Sequence, residues 1–171
     1  RLKDGKRACY YDLVLIKHCL KIATHEWGLI LSSNPVDFIK MPPISKPRQR
    51  RLNKGEYELL EQASVLTLNP YIWPIIVFAI ETGMRRSEIL DLTWDNTRLE
   101  RQLAYLPLTK NGTSRDVPLS IRAVDVLRGQ RSRQDTPTPF PVNANAFRLA
   151  WERLRKRADL CDLRFHDLRH E

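Results

Sequence analysis

Three short stretches hold polar residues that packing alone does not require, and the chemistry they suit is that of gripping an anion. In chain order they are Thr82-Gly83-Met84-Arg85-Arg86-Ser87-Glu88, then Thr109-Lys110-Asn111-Gly112, then His166-Asp167-Leu168-Arg169-His170. Arg85 comes two residues after a glycine suited to ending a helix, so it is expected where the chain turns from one helix into the next. Amides at a helix start attract phosphate, and a guanidinium there adds a two-pronged clamp. His166 and Arg169 are three apart and share a face on a helix, which pairs a proton carrier with an anion ligand. Lys110 stands at the expected tip of a hairpin. Each stretch also has a plainer reading: a surface arginine paired with Glu88, a solvated turn lysine, and a chance spacing of His and Arg. No one of them decides.

The elements that must hold these residues are legible in the apolar pattern. Cys9, Leu13, Ile16, Leu20, Ala23 and Trp27 alternate in steps of four and three, which gives one helical face with Gly28 as its stop. Such a stripe needs a packing partner, so this helix reads as the survivor of a small helical domain. Lys40 to Arg51 is rich in proline and basic residues and reads as an extended linker, in which Lys46, Arg48, Arg50 and Arg51 could follow a phosphate backbone or simply form a charged tether. Asn53 with Glu56 fits a capping pattern that opens the next helix. The apolar segment Tyr71 to Ile80, closing at Gly83, predicts a central buried helix.

Beyond Trp94, Leu103 to Leu106 and Ser114 to Leu119 flank Lys110-Asn111-Gly112, which predicts an antiparallel hairpin. Ser120 can cap a helix running through Leu127, Thr136 to Pro141 reads as a loop, and Phe147, Ala150, Trp151, Leu154 and Ala158 make a last helical stripe. The fold class is therefore mainly α with a small antiparallel β-sheet (α+β).

Composition narrows the partners. The 171 residues carry a formal net charge of +9 with 42% hydrophobic residues, enough for one core and some extra chain. Such charge favours a phosphate-rich partner, nucleic acid first, over a basic one. Cys9, Cys19 and Cys161 are odd in number and widely spaced, which suggests neither a disulfide framework nor a metal site. No apolar run reaches membrane-spanning length and no signal-peptide pattern opens the chain, so a cytoplasmic protein with no membrane partner is expected. The first residue is Arg1, and the native start is expected to lie upstream.

Taken together, the string TGMRRSEILDLTW, the lysine in TKNGTSRDVPLS and the closing HDLRH resemble the catalytic domain of tyrosine recombinases, the phage-integrase family, in order and in local context. The resemblance covers Leu52 to Glu171. Upstream, a helix followed by NPVDFI, a Pro/basic linker and RRLNKGEYELL is similar to the end of that family's core-binding domain. The resemblance thus implies three parts: residues 1–39 as a remnant of the core-binding domain, 40–51 as linker, and 52–171 as a C-terminally incomplete catalytic domain. HDLRHE and TKNGTSRDVPLS are most similar to shufflon-type DNA invertases.

What the resemblance implies about the site follows residue by residue. Arg85 and Arg169 become the two arginines that hold the scissile phosphate, Lys110 the hairpin lysine that protonates the departing 5′-oxygen, and His166 the group that takes a proton from the nucleophile or holds the phosphate. Glu88 would orient Arg85. Arg86 and His170 are expected to be surface or packing residues. The family's partners are double-stranded DNA and, in the full-length protein, three further copies in a tetramer; it uses neither a metal nor any other cofactor. The family's nucleophilic tyrosine follows HxxR, whereas Tyr10, Tyr11, Tyr57, Tyr71 and Tyr105 all precede it, so no nucleophile is expected in this chain and no cleavage by it alone. A DNA-binding remnant that occupies recombination sites without cutting, a type IB topoisomerase and a generic basic helical protein are the competing readings.

Overall fold

In the computed structural model, residues 2–44, 48–107, 113–132 and 135–170 are described. They divide into two compact units, residues 1–48 and 49–171.

The first unit is built on α1 (Leu2–Glu26), longer than its apolar stripe implied, and a 3₁₀ turn at Pro35–Phe38. Asn34 fixes that turn at both ends. Its Oδ1 accepts from the Val36 amide at 3.1 Å, and its Nδ2 donates to the Lys17 carbonyl at 3.0 Å. A Lys17–Asp37 ion pair at 2.5 Å ties the turn to the helix. Ala23 and Val36 are buried, but most of the stripe is not: Ile16 remains 48% exposed and Trp27 74%. The pattern was read correctly as a helix face, and within this unit little covers it.

The second unit holds the main core. α2 (Glu56–Val65), α3 (Ile72–Thr82), α5 (Ile121–Arg131) and α6 (Ala144–Arg157) surround it, with a short α4 (Arg86–Leu90) at one side. A three-stranded antiparallel sheet is ordered β1 (Thr97–Arg98), β2 (Leu103–Leu106), β3 (Arg115–Pro118). α3 is the central element, as its unbroken apolar run requires; Ile75, Ile76, Phe78 and Ala79 are inaccessible to solvent. Pro74 falls in its first turn, where the missing N–H costs no helical bond. α6 buries Phe147, Ala150, Trp151, Leu154 and, just past its end, Ala158, the five positions of the predicted stripe.

Two boundaries differ from the sequence reading. Asn53 does not cap α2: Gly55, at φ 88°, is the capping residue, and Asn53 instead donates its amide and its Nδ2 to Glu56 at 2.7 and 3.1 Å. Half of the reciprocal pattern is present, one turn early, because glycine can take the left-handed conformation that the chain needs there. The sheet also gains β1, which is only two residues long and too short to show an alternating pattern. Ser120 caps α5 as expected, accepting from the Ala123 amide at 3.1 Å.

Candidate functional site

The site begins with the way α3 ends. Gly83 sits at φ 59° and returns its amide to the Ala79 carbonyl, while Thr82 Oγ1 donates to the Phe78 carbonyl at 2.6 Å. Met84 is then driven fully into the core. With that peg fixed, Arg85 is left in an extended conformation (φ −70°, ψ 151°) as the capping residue of α4, its side chain 32% exposed. Arg86 faces solvent. One glycine, one buried methionine and one helix start thus decide where the Arg85 guanidinium stands.

Glu88 returns to meet it. Its Oε1 accepts from Arg85 Nη1 at 2.8 Å and its Oε2 from the Arg85 amide at 2.8 Å. The second oxygen also accepts from Arg115 Nη2 at 2.9 Å. Burial pushes the Glu88 carboxyl up, but the bonds from the Arg85 amide and guanidinium and the charge of Arg115 and Arg85 outweigh it, so it lies below the ordinary carboxylate value. It is ionised at neutral pH.

Arg169 arrives from the far end of the chain. The 3₁₀ turn Phe165–His170 packs against α3, and Arg169 Nε donates to the Gly83 carbonyl at 2.6 Å. Three residues per turn sort this motif into three faces. Phe165 and Leu168 are buried, the Phe165 ring edge-on to Phe147 at 4.8 Å and to Trp151 at 5.5 Å. His166 and Arg169 occupy the next face. Asp167, also buried, accepts from the Arg164 amide at 2.9 Å and closes the turn. The Arg169 guanidinium is lowered from its usual value first by burial and then by repulsion from Arg85 and Arg115, against the pull of Glu88. Three guanidiniums thus interact with one ionised carboxylate, and the local excess of positive charge suits an anion.

The structure therefore brings together Arg85, Glu88 and Arg169, which lie up to 84 residues apart in sequence. His166 shares the turn with Arg169 and is exposed, lining a shallow depression with Arg86, Arg155 and Arg164. A separate cleft of about 440 Å³ opens beside Arg85 and Glu88 and is lined also by Tyr105. Lys110 and Lys46 lie outside the described residues, as does the side chain of His170.

The linker arginines do not behave alike. Arg50 is a structural clamp: it donates to Glu56 at 2.6 Å and to Asp162 at 3.4 Å, with its side chain only 16% exposed. The sequence reading, which had it following a phosphate backbone or forming a charged tether, did not foresee these carboxylate partners. Arg48 and Arg51 are exposed.

Arg115 is the residue the motif reading missed. Leu106 pairs with Arg115 and Ala104 with Val117, so strand alternation places Arg115 on the face of the sheet that Val117 buries. An arginine in step with Val117 and Leu119 was the available signal.

Among the described residues no three His, Cys, Asp or Glu side chains cluster as a metal would need, and no helix is long and apolar enough to cross a membrane.

Arginines from a helix start and a late 3₁₀ turn are thus brought together on a helical domain with a small antiparallel sheet. Residues 50–171 match the phage integrase family, and the chain belongs to it. It is 39% identical over 160 residues to the shufflon-specific DNA recombinase of Escherichia coli, covering 94% of this chain and 41% of that protein. To the integrase of Salmonella phage P22 it is 31% identical over 179 residues, covering 92% and 44%. The chain thus spans less than half the length of these relatives. A lambda integrase dimer bound to a core site superimposes with a TM-score of 0.72 at 18% identity, over 98% of this chain and 66% of that one. A lambda integrase tetramer bound to a Holliday junction gives 0.67 at 18% identity, over 92% and 50%. These superpositions carry the fold.

Proposed function

We propose that this chain supplies the phosphate-gripping part of a site-specific DNA recombinase, an integrase or invertase that breaks and rejoins double-stranded DNA through a 3′-phosphotyrosyl intermediate. The observation that carries the reading is that Arg169 is bonded to the Gly83 carbonyl, two residues before Arg85, close enough to feel the charges of Arg85 and of the ionised Glu88 that holds it. In this reading the two guanidiniums hold the non-bridging oxygens of the scissile phosphate and stabilise the charge that grows on them as a fifth oxygen approaches phosphorus. A tyrosine oxygen attacks, the P–O5′ bond breaks, and the departing 5′-oxygen takes a proton from Lys110. His166 accepts the tyrosine proton or adds a further bond to the phosphate.

The tyrosine is assigned to residues beyond these 171. Tyr57 is held by Arg122, which donates to its oxygen and covers its ring at 5.1 Å. Burial, the largest cause, raises the Tyr57 hydroxyl above its usual value. Residues 1–39 are read as the end of a core-binding domain, 40–51 as linker and 52–171 as the catalytic domain. The DNA-bound tetramer, action at the bacterial nucleoid and phosphate contacts by Lys46, Arg48 and Arg51 belong to the same proposal.

The test pairs two assays on one duplex carrying a candidate site. Binding by this chain is expected to fall steeply with salt. A covalent adduct is expected only from the longer protein, and not after Arg85→Ala or Arg169→Ala. An adduct formed by the 171-residue chain and abolished by Tyr105→Phe would overturn the placement of the nucleophile. A longer protein that binds but never traps DNA, even on a nicked substrate, would overturn the enzyme.

A further inference from the structure

Glu88 has two oxygens and three donors among the described residues, and the third donor, Arg115, is given no role by the motif in which it stands. Oε1 is held by Arg85 Nη1 alone; Oε2 is shared between the Arg85 amide and Arg115 Nη2. The bonds from Arg85 come from three residues away on the same short helix, whereas Arg115 reaches in from β3, 27 residues on. Without Arg115, the carboxylate could rotate and trade the Arg85 guanidinium for water, because that side chain is 32% exposed. With it, the carboxylate is held from two elements at once.

We propose that Arg115 is a positioning residue for DNA cleavage: by gripping Oε2 of Glu88 it locks the carboxylate that aims Arg85 at the phosphate. This rests on reading Arg85 as a phosphate ligand. The link also couples the β2–β3 hairpin to the start of α4, so strand and helix present their cationic groups in fixed relation. A second carboxylate oxygen filled by a charged donor is worth more than a water in its place, since Glu88 is 7% exposed and its bonds form in a medium of low dielectric. Arg115 itself is 41% exposed, so its removal opens no large cavity and the substituted protein is expected to fold.

The competing role for Arg115 is a direct phosphate contact, and a cycle separates the two. In the longer protein, Arg115→Gln is expected to slow single-turnover cleavage about tenfold at saturating DNA, with Arg115→Lys recovering part of the rate. Arg115→Gln with Glu88→Gln together should be no slower than Glu88→Gln alone, and the salt dependence of binding should keep its slope. In the 171-residue chain, the Glu88 carboxyl, followed by carbon NMR, should titrate at higher pH in Arg115→Gln. Among the described residues, Arg85 at the head of α4, Arg115 on β3 and Arg169 on the 3₁₀ turn act on it electrostatically, and Asp91 lines the same cleft.

Additive rate losses with a slope reduced by about one would make Arg115 a phosphate ligand in its own right and overturn the proposal. An unmoved titration with unchanged cleavage would overturn it too. A longer protein that cuts no DNA defeats the recombinase reading and Arg115's part in it, while a raised Glu88 titration would still establish the link between the two side chains.

Discussion

Gly83→Ala tests how the site is assembled, because the cost can be worked out before the experiment. A Cβ at Gly83 would meet its nearest neighbour, the Arg169 carbonyl oxygen, at 3.8 Å, an ordinary contact. Space is therefore not the obstacle; the backbone is. At φ 59° an alanine pays about 1–2 kcal/mol for the left-handed conformation. Alanine also stiffens the unfolded chain, which offsets roughly 0.4–1 kcal/mol where the native backbone is compatible and less here. A net loss of about 1 kcal/mol is expected, and less for Gly83→Asn, since asparagine tolerates this region. Urea unfolding read by Trp73, Trp94 and Trp151 measures it, in a Trp27→Phe background that silences the tryptophan of the first unit. Alanine as stable as glycine, or asparagine worse than alanine, would refute the conformational argument. A loss above about 3 kcal/mol would mean that the Arg169 backbone cannot give way and that sterics rule instead.

Phe165→Ala should destabilise the chain by about 3–5 kcal/mol, seen in the same urea titration, because it removes a buried ring packed edge-on against both Phe147 and Trp151. Arg50→Ala should lower stability by about 1–2 kcal/mol by stripping Glu56 of a charged donor, whereas exposed Arg51→Ala should change it by less than about 0.5 kcal/mol. Glu56 and Glu88 both lie below the ordinary carboxylate value in the folded chain, the bonds from Arg50 and Asn53 outweighing burial at Glu56. Their contribution is complete above the unfolded value of about 4.3 and is lost as pH falls through the lower folded values. The urea midpoint should therefore drop below about pH 4, with a shallower drop in Glu88→Gln.

Local signals carried much of this protein. The apolar run of α3, the glycine that ends it, the Ser120 cap and the α6 stripe are short-range properties, set by helical periodicity and by which residues can satisfy a helix end, so they could be read before any contact was known. The three polar motifs were legible for the same reason, each being a local departure from what packing needs. What the sequence could not carry was partnership. Arg50 and Arg115 are both basic residues in polar stretches, yet one closes on nearby Glu56 and on Asp162, 112 residues away, and the other on Glu88, 27 residues away. Gly83 and Arg169 meet across 86 residues because a 3₁₀ turn with two buried apolar side chains docks on α3. Charge and periodicity are written residue by residue, but a buried carboxylate chooses its donors only after the core has fixed which elements lie side by side. For that reason Arg85, Glu88 and Arg169 could be singled out from the chain, while the bond from Arg115 to Glu88 became visible only in the fold.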